Sequence, residues 1–221
     1  MQVGSQSSRI RGRAVSVVTD GPSPGAGLEE AVFAANAAYL RQLAHAASQS
    51  SCVADEFPQS VRGQFAALDD SACHRLSAMP FTLFSLRFAD AKYWFSAMGA
   101  AQRHEPRDGN STSLARTAVF LAWHLVRSEP TLVGMTLGMT ADVAALYRSL
   151  PLSDVDRLAG HTQAALLPRW PTRVAFWGAL LAGTDSRYAL ERARFYGLQL
   201  LAAECLTDLP SRTRARSVRS K

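Results

Sequence analysis

The chain of 221 residues contains an internal repeat, and this repeat limits the possible folds more than any other feature of the sequence. Residues 57–88 align without a gap with residues 139–170, so the offset between the two copies is constant. Shared hydrophobicity alone does not explain the match, because the aligned pairs include serines, arginines and aromatic residues: Phe65 with Tyr147, Ser71 with Ser153, Arg75 with Arg157, Arg87 with Arg169, and Phe88 with Trp170. A fixed period indicates one structural unit that is used twice.

Basic residues are concentrated at the two ends of the chain, whose formal net charge is +6. Residues 1–27 contain three arginines and one aspartate, and residues 207–221 contain four arginines, one lysine and one aspartate. The region between them is therefore neutral. We interpret the two ends as a disordered basic arm and a disordered basic tail. Such segments suit anionic partners such as nucleic acid or membrane headgroups, or they only keep the protein soluble.

Cysteine and histidine patterns argue against a metal site or a disulfide framework. The three cysteines form no C-x-x-C pair, and the five histidines have no ligand spacing. No Gly-rich phosphate loop, nucleophile elbow or paired-carboxylate signature is present in the sequence. The longest apolar run, residues 174–183, has about half the length that a membrane span needs. We therefore expect a cytoplasmic protein without metal, cofactor, membrane contact, small-molecule substrate or enzyme activity.

The first predicted unit covers residues 28–101. An Ala-rich helix is predicted from Leu28 to about Ser48, because apolar residues recur there at helical spacing. Pro58 is expected to open a second helix, since its missing N–H costs nothing in a first turn. Ser71 is a candidate cap of a short third helix. The aromatic stretch from 80 to 100 is compatible with a strand or with a helix start.

The second predicted unit covers residues 112–206. A helix is predicted from about Ser113 to Arg127, and Gly138 is expected to end the next helical turn in a left-handed conformation. Thr140 is expected to cap the helix that follows. Ser153, with an aspartate three residues later, resembles a capping box.

A final helix is predicted from about Ser186 to Cys205. Its predicted buried face consists of Leu190, Phe195, Leu198, Leu201 and Ala202. No convincing alternating strand pattern occurs in the sequence. The predicted fold class is therefore all-α, with two tandem helical repeat units closed by a C-terminal helix.

A series of motifs follows in the second unit, in one order and mostly without gaps: Leu137-Gly138-Met139-Thr140, Val143-Ala144, Leu150, Leu152, Val155, Arg157-Leu158-Ala159, Arg169-Trp170, Asp185-Ser186-Arg187, and Gly197-Leu198-x-Leu200. Over about residues 114–205 this series resembles the flagellar transcriptional activator FlhD family. The first unit resembles the family more weakly, over about residues 33–96.

The resemblance implies a small all-α protein that dimerises, joins a zinc-binding partner subunit (FlhC) and helps to activate promoters. In that family the Ser-Arg pair of the Asp-Ser-Arg motif belongs to a surface implicated in DNA contact. Further arginines extend the basic start of the final helix here, and arginine suits phosphate and guanine contacts. The alternative is a solvated helix face. The candidate residues for nucleic-acid or partner binding are Ser186, Arg187, Tyr188, Arg192 and Arg194.

The chain also departs from the family pattern. The family has one unit where this chain has two, so the chain would be a fused pseudo-dimer, without the concentration cost of association. Only the second unit has Asp-Ser-Arg. The family's subunit-linking cysteine aligns with Leu166, and with Phe84 in the first unit, so that cross-link is not expected. Arg87 and Arg169 lie beside aromatic residues, where stacking or a buried ion pair is favoured over ligand binding.

Three functional hypotheses follow. The first is an FlhD-like transcriptional regulator or co-activator subunit, possible partners being promoter DNA, an FlhC-like subunit or a second copy. The second is a helical protein–protein adaptor, for example in secretion or motility, without DNA binding. The third, a small helical enzyme, has only pocket-forming aromatic residues in its favour. A helix-turn-helix over residues 140–160 is disfavoured, because Asp154 and Asp156 would face phosphates.

Overall fold

The structure, a computed structural model, describes residues 26–49, 55–103, 114–162 and 166–207. Nearly all of the predicted basic arm and basic tail lies outside these ranges, as does the greater part of the loop between the two predicted units. The described residues form ten helices and two short strands: α1 Ala26–Ser48, α2 Gln59–Phe65, α3 Asp70–Leu76, β1 Phe84–Ser85, α4 Ala91–Arg103, α5 Leu114–Ser128, α6 Val133–Leu137, α7 Ala141–Ser149, α8 Leu152–His161, β2 Leu167–Pro168, α9 Val174–Ala182 and α10 Arg187–Thr207.

The all-α prediction is confirmed, and the helix bounds follow the sequence signals closely. α1 covers the predicted Ala-rich helix, and apolar residues at helical spacing along it are buried: Val32, Ala35, Tyr39, Leu40 and Leu43. Pro58 lies immediately before α2, as expected for a residue without an N–H. The aromatic stretch after α3 contains both predicted alternatives, since the short strand β1 is followed by helix α4.

Three of the predicted caps are corrected by the structure. The cap of α3 is Asp69 and not Ser71, because the Asp69 carboxylate accepts the Ala72 N–H at 2.6 Å. The cap of α8 is Pro151, so Ser153 already lies inside the helix and the predicted capping box does not form. Thr140 precedes α7 as predicted, but its side chain makes no capping hydrogen bond.

The predicted left-handed stop at Gly138 is confirmed, with φ of 66° and ψ of 33°. A side chain at this position would also have no room. A Cβ atom built on Gly138 would lie 2.5 Å from a guanidinium nitrogen of Arg169. Gly138 therefore satisfies both the backbone conformation and the close approach of a buried arginine.

The two halves of the chain are intertwined. β1 and β2 pair antiparallel, with Phe84 opposite Pro168 and Ser85 opposite Leu167. The helix after each strand then packs on the other half: α4 contacts α7 and α8, whereas α9 contacts α2. The first long helices of the halves, α1 and α5, also contact each other. The buried residues of both halves accordingly belong to one continuous hydrophobic core.

The order of elements corresponds between the halves, but the offset changes along the chain. Helix α7 begins as many residues after the start of α2 as α8 begins after the start of α3. This separation equals the separation of the two copies of the sequence repeat. The strands, and the helices after them, begin at an offset larger by one position. An equivalent hydrogen bond in each half supports the larger offset. Trp94 Nε1 donates to the Arg87 carbonyl in the first half, and Trp177 Nε1 donates to the Trp170 carbonyl in the second.

The structural counterpart of Arg87 is therefore Trp170, and both residues have positive φ, of 57° and 53°. The gapless alignment of Arg87 with Arg169 is wrong by one position. The second half has one additional residue between the start of α8 and β2, where α8 is also longer than α3.

Helix α10 follows the paired elements. It packs mainly along α9 and also contacts α6. Among the helices that the structure describes, none combines the length and the apolar character needed to cross a bilayer.

Candidate functional site

Contacts to elements other than α9 also hold α10 in place. Gly197 lies against the ring of Phe81, so closely that an added Cβ atom would overlap the ring. Arg194 donates from Nε and Nη2 to the Ala78 carbonyl, at 3.2 and 2.6 Å. Near the C-terminal end of α10, the Glu204 carboxylate accepts a hydrogen bond from the Arg169 guanidinium at 2.8 Å. Because these contacts are spread along the helix, α10 presents its outer face in a defined orientation.

Ser186 caps α10. Its Oγ accepts the Ala189 N–H at 3.2 Å, and its carbonyl accepts the Leu190 N–H at 3.1 Å. This hydroxyl therefore satisfies one of the free N–H groups at the start of the helix. The serine of the Asp-Ser-Arg motif has a structural role, and it positions the arginine that follows it.

Arg187 and Tyr188 lie in the first turn of α10 and are strongly exposed. The Arg187 side chain is 92% exposed, and its Nε lies 3.2 Å from a carboxylate oxygen of Glu191. Tyr188 is 71% exposed. Exposed ion pairs of this kind contribute little to stability, so Arg187 can exchange Glu191 for another anion at small cost.

Arg192 lies between two tyrosines on the same helix. Its guanidinium is 6.0 Å from the ring centre of Tyr188 and 5.7 Å from that of Tyr196, and it donates to the Tyr196 hydroxyl at 3.2 Å. This hydrogen bond raises the pKa of Arg192. The two tyrosine rings flank the guanidinium, whose remaining N–H groups can donate to an anion.

The structure thus brings together three of the five predicted site residues. Arg192 contacts Tyr188, and Arg187 is exposed in the same first turn; together these three residues are called the α10 patch, to which the positive end of the helix dipole adds. Ser186 serves as the cap, and Arg194 is held against the Ala78 carbonyl. The patch can bind an anionic group or stack on a planar ligand.

The sequence-based assignment of the α10 faces is partly wrong. Phe195, Leu198 and Ala202, predicted to be buried, are exposed, and Phe195 is 60% exposed. Leu201 is buried as predicted and Leu190 is partly buried, whereas the buried positions Ala193 and Gly197 were not predicted. Ala193 and Gly197 are small residues four positions apart, and this spacing was the available signal for close packing against α9 and Phe81.

Arg169 occupies a second polar region, at the edge of a cleft of about 830 Å³ that also includes Arg87 and Trp170. Its side chain is 4% exposed, lies 2.8 Å from Glu204 and is stacked 4.7 Å from the ring centre of Trp170. This arrangement agrees with the expected buried ion pair and stacking. The Glu204 carboxylate offsets the charge of Arg169.

Within the described ranges, no group of histidine, cysteine, aspartate and glutamate side chains has the geometry to hold a metal ion. Comparisons with protein-family models, curated protein sequences and solved structures find no match for this chain. The functional assignment therefore depends on the α10 patch and on the sequence motifs.

Proposed function

We propose that the protein is an FlhD-like transcriptional regulator or co-activator subunit that works in the cytoplasm and contacts promoter DNA through the start of α10. It would bind DNA weakly alone, and more tightly with an FlhC-like partner subunit. The observation that carries the proposal is the exposed patch of Arg187, Tyr188 and Arg192. The intertwined halves support it further, because they are the arrangement expected of two fused protomers.

Two arginines near the positive end of a helix suit phosphate oxygens. Each phosphate contact releases counterions, so the slope of log affinity against log salt measures the number of contacts. Replacing Arg187 and Arg192 with alanine should weaken binding and reduce the magnitude of that slope by about 1 for each arginine.

The experiment titrates labelled promoter DNA with the full chain at several salt concentrations, with and without a zinc-binding subunit encoded nearby. Arg148→Ala is the matched control, because Arg148 is an exposed arginine on a different helix, α7. The proposal predicts a smaller slope for the α10 double variant alone. Undetectable or salt-independent binding with and without the partner would remove the proposal.

A helical adaptor without DNA contact is the second candidate. Exposed Phe195 and Leu198 favour it, because apolar side chains on a helix surface suit a protein partner better than phosphates. A stable complex with a protein, formed after nuclease treatment and unaffected by Arg187→Ala, would support this function over the first.

A further inference from the structure

The cleft beside Arg169 lies where the short strands β1 and β2 meet the start of α7 and the C-terminal part of α10. Its volume of about 830 Å³ is typical of sites for small ligands. No residue of the α10 patch lines this cleft, which is called the strand cleft below. Its side chains are therefore available for a role other than the one proposed for α10.

Among the described residues, four charged side chains line the strand cleft, and two of them pair with each other. Arg169 is buried and lies 2.8 Å from Glu204. Arg87 and Asp142 are exposed, and neither forms an ion pair with a residue that the structure describes. An arginine and an aspartate of this cleft thus remain available to a ligand.

Arg87 and Asp142 lie on adjacent segments of the chain. The Thr140 N–H donates to the Phe88 carbonyl at 3.2 Å, and this bond joins the start of α7 to the residue after Arg87. Asp142 lies in the first turn of α7. The Arg87 guanidinium lies 5.4 Å from the ring centre of Tyr93, a contact that leaves its N–H groups available. A molecule with one anionic and one cationic group can therefore contact both side chains.

Trp170 supplies an aromatic wall of the strand cleft. Its Nε1 donates to the Glu204 carboxylate, and its ring packs edge-on against the rings of Phe81 and Phe176. These contacts fix the orientation of the ring, which is partly exposed. Both residues of β2 line the cleft as well and add apolar surface. An apolar side chain of a ligand can pack against this wall.

We propose that the strand cleft binds a small zwitterion, either a free α-amino acid or a dipeptide, with an apolar side chain. The ligand carboxylate accepts hydrogen bonds from the Arg87 guanidinium, and the ligand ammonium donates to the Asp142 carboxylate. The apolar side chain packs on Trp170. This site is separate from the α10 patch and does not depend on DNA binding.

Isothermal titration calorimetry on nuclease-treated full-length protein tests the proposal with L-phenylalanine and glycyl-phenylalanine as zwitterionic probes. Two analogues each lack one charge: 3-phenylpropionate has no ammonium, and phenylalaninamide has no carboxylate. We expect saturable binding of a zwitterion at millimolar concentrations and weaker binding of both analogues. The tighter of the two zwitterions distinguishes a free amino acid from a dipeptide as the ligand.

Two variants each remove one of the proposed contacts. Arg87→Ala and Asp142→Asn should each weaken binding of the zwitterion about tenfold, because each removes a charge-assisted hydrogen bond. Arg87→Ala should not weaken binding of phenylalaninamide, and Asp142→Asn should not weaken binding of 3-phenylpropionate. Arg148→Ala is the matched control, since Arg148 is an exposed arginine of α7 that does not line the cleft. Circular dichroism checks that all variants fold.

The absence of saturable binding by both zwitterions would overturn the proposal. Binding that is unchanged in both variants would also overturn it, because the probe would then lie elsewhere on the protein. If 3-phenylpropionate binds the wild-type chain as tightly as L-phenylalanine does, the ammonium makes no contribution and the assignment of Asp142 is wrong.

Discussion

Two regions that the sequence presents as equivalent differ most at their arginines. Arg169 is buried at the end of β2, stacks on Trp170 and pairs with Glu204. Arg87, after β1, is exposed and lies over the ring of Tyr93 at 5.4 Å. Part of the difference is register, because the structural counterpart of Arg169 is Leu86, which is also buried. The rest comes from α10, which supplies Glu204 and has no counterpart among the described residues that follow α4.

This comparison shows how the second half acquired a distinct surface. The paired core elements need the same apolar residues in both halves, so these residues recur. Helix α10 covers α9 and part of the first half, and it presents an outer face that the first half lacks. Features shared by the halves therefore reflect folding, whereas function is expected on α10.

The largest expected effect tests the shared core. Leu76 and Leu158 occupy matched positions of the repeat, and each is at most 1% exposed. Leu76→Ala and Leu158→Ala should each lower the free energy of unfolding by roughly 2–4 kcal/mol, through lost burial and a residual cavity. Urea denaturation measures the change. An unaffected stability in either variant would break the correspondence between α3 and α8.

The next effect tests the difference between the arginines. Arg169→Ala removes a buried guanidinium and leaves Glu204, whose side chain is 41% exposed and can regain water. The expected cost is about 2–3 kcal/mol, below the roughly 3–5 kcal/mol for breaking a fully buried pair. Arg87→Ala should cost less than about 1 kcal/mol. Equal costs in urea denaturation would remove the distinction between the two regions.

A smaller effect tests the packing of α10 against the first half. Gly197→Ala forces a methyl group into the ring of Phe81 and should destabilise the protein by about 1–3 kcal/mol. Gly178→Ala is the matched control, because open space surrounds that position in α9. It should stabilise by about 0.5–1 kcal/mol through lower backbone entropy in the unfolded chain. A neutral Gly197→Ala, measured by thermal unfolding, would contradict the close packing.

The smallest effect separates a helix cap from a contact residue. Ser186→Ala should cost about 1 kcal/mol, since it removes the acceptor of the Ala189 N–H. Ser153→Ala, at a position without a capping bond, should stay within about 0.5 kcal/mol. If Ser153→Ala costs as much as Ser186→Ala, the corrected start of α8 is wrong.

Local signals in the sequence predicted most of the fold. Pro58, Gly138 and the apolar spacing of α1 determine backbone geometry by themselves, so their interpretation did not need tertiary contacts. Ser71 and Ser153 were misassigned because Asp69 and Pro151 compete for the same cap positions, and the sequence pattern does not decide between neighbours.

The rest depended on long-range packing. Nothing local indicates that α4 crosses to the other half, or that buried Asn36 would hold the Phe81 carbonyl and the Leu83 N–H. The candidate site at Arg187 was indicated by its motif and stays a prediction. The exposure of Phe195 was missed because a helix of mixed polarity offers two apolar faces, and only the position of Phe81 decides between them.

The central claim is that the outer face of α10 is the functional contact surface, and site-specific photo-crosslinking tests it most directly. A photoreactive benzoyl-phenylalanine replaces Tyr188 in one variant and the similarly accessible Phe95 on α4 in another. Each is irradiated in the presence of promoter DNA and the candidate partner subunit. The account predicts crosslinks to DNA or the partner subunit from position 188, and none from position 95. Crosslinks from position 95 with none from position 188 would contradict it.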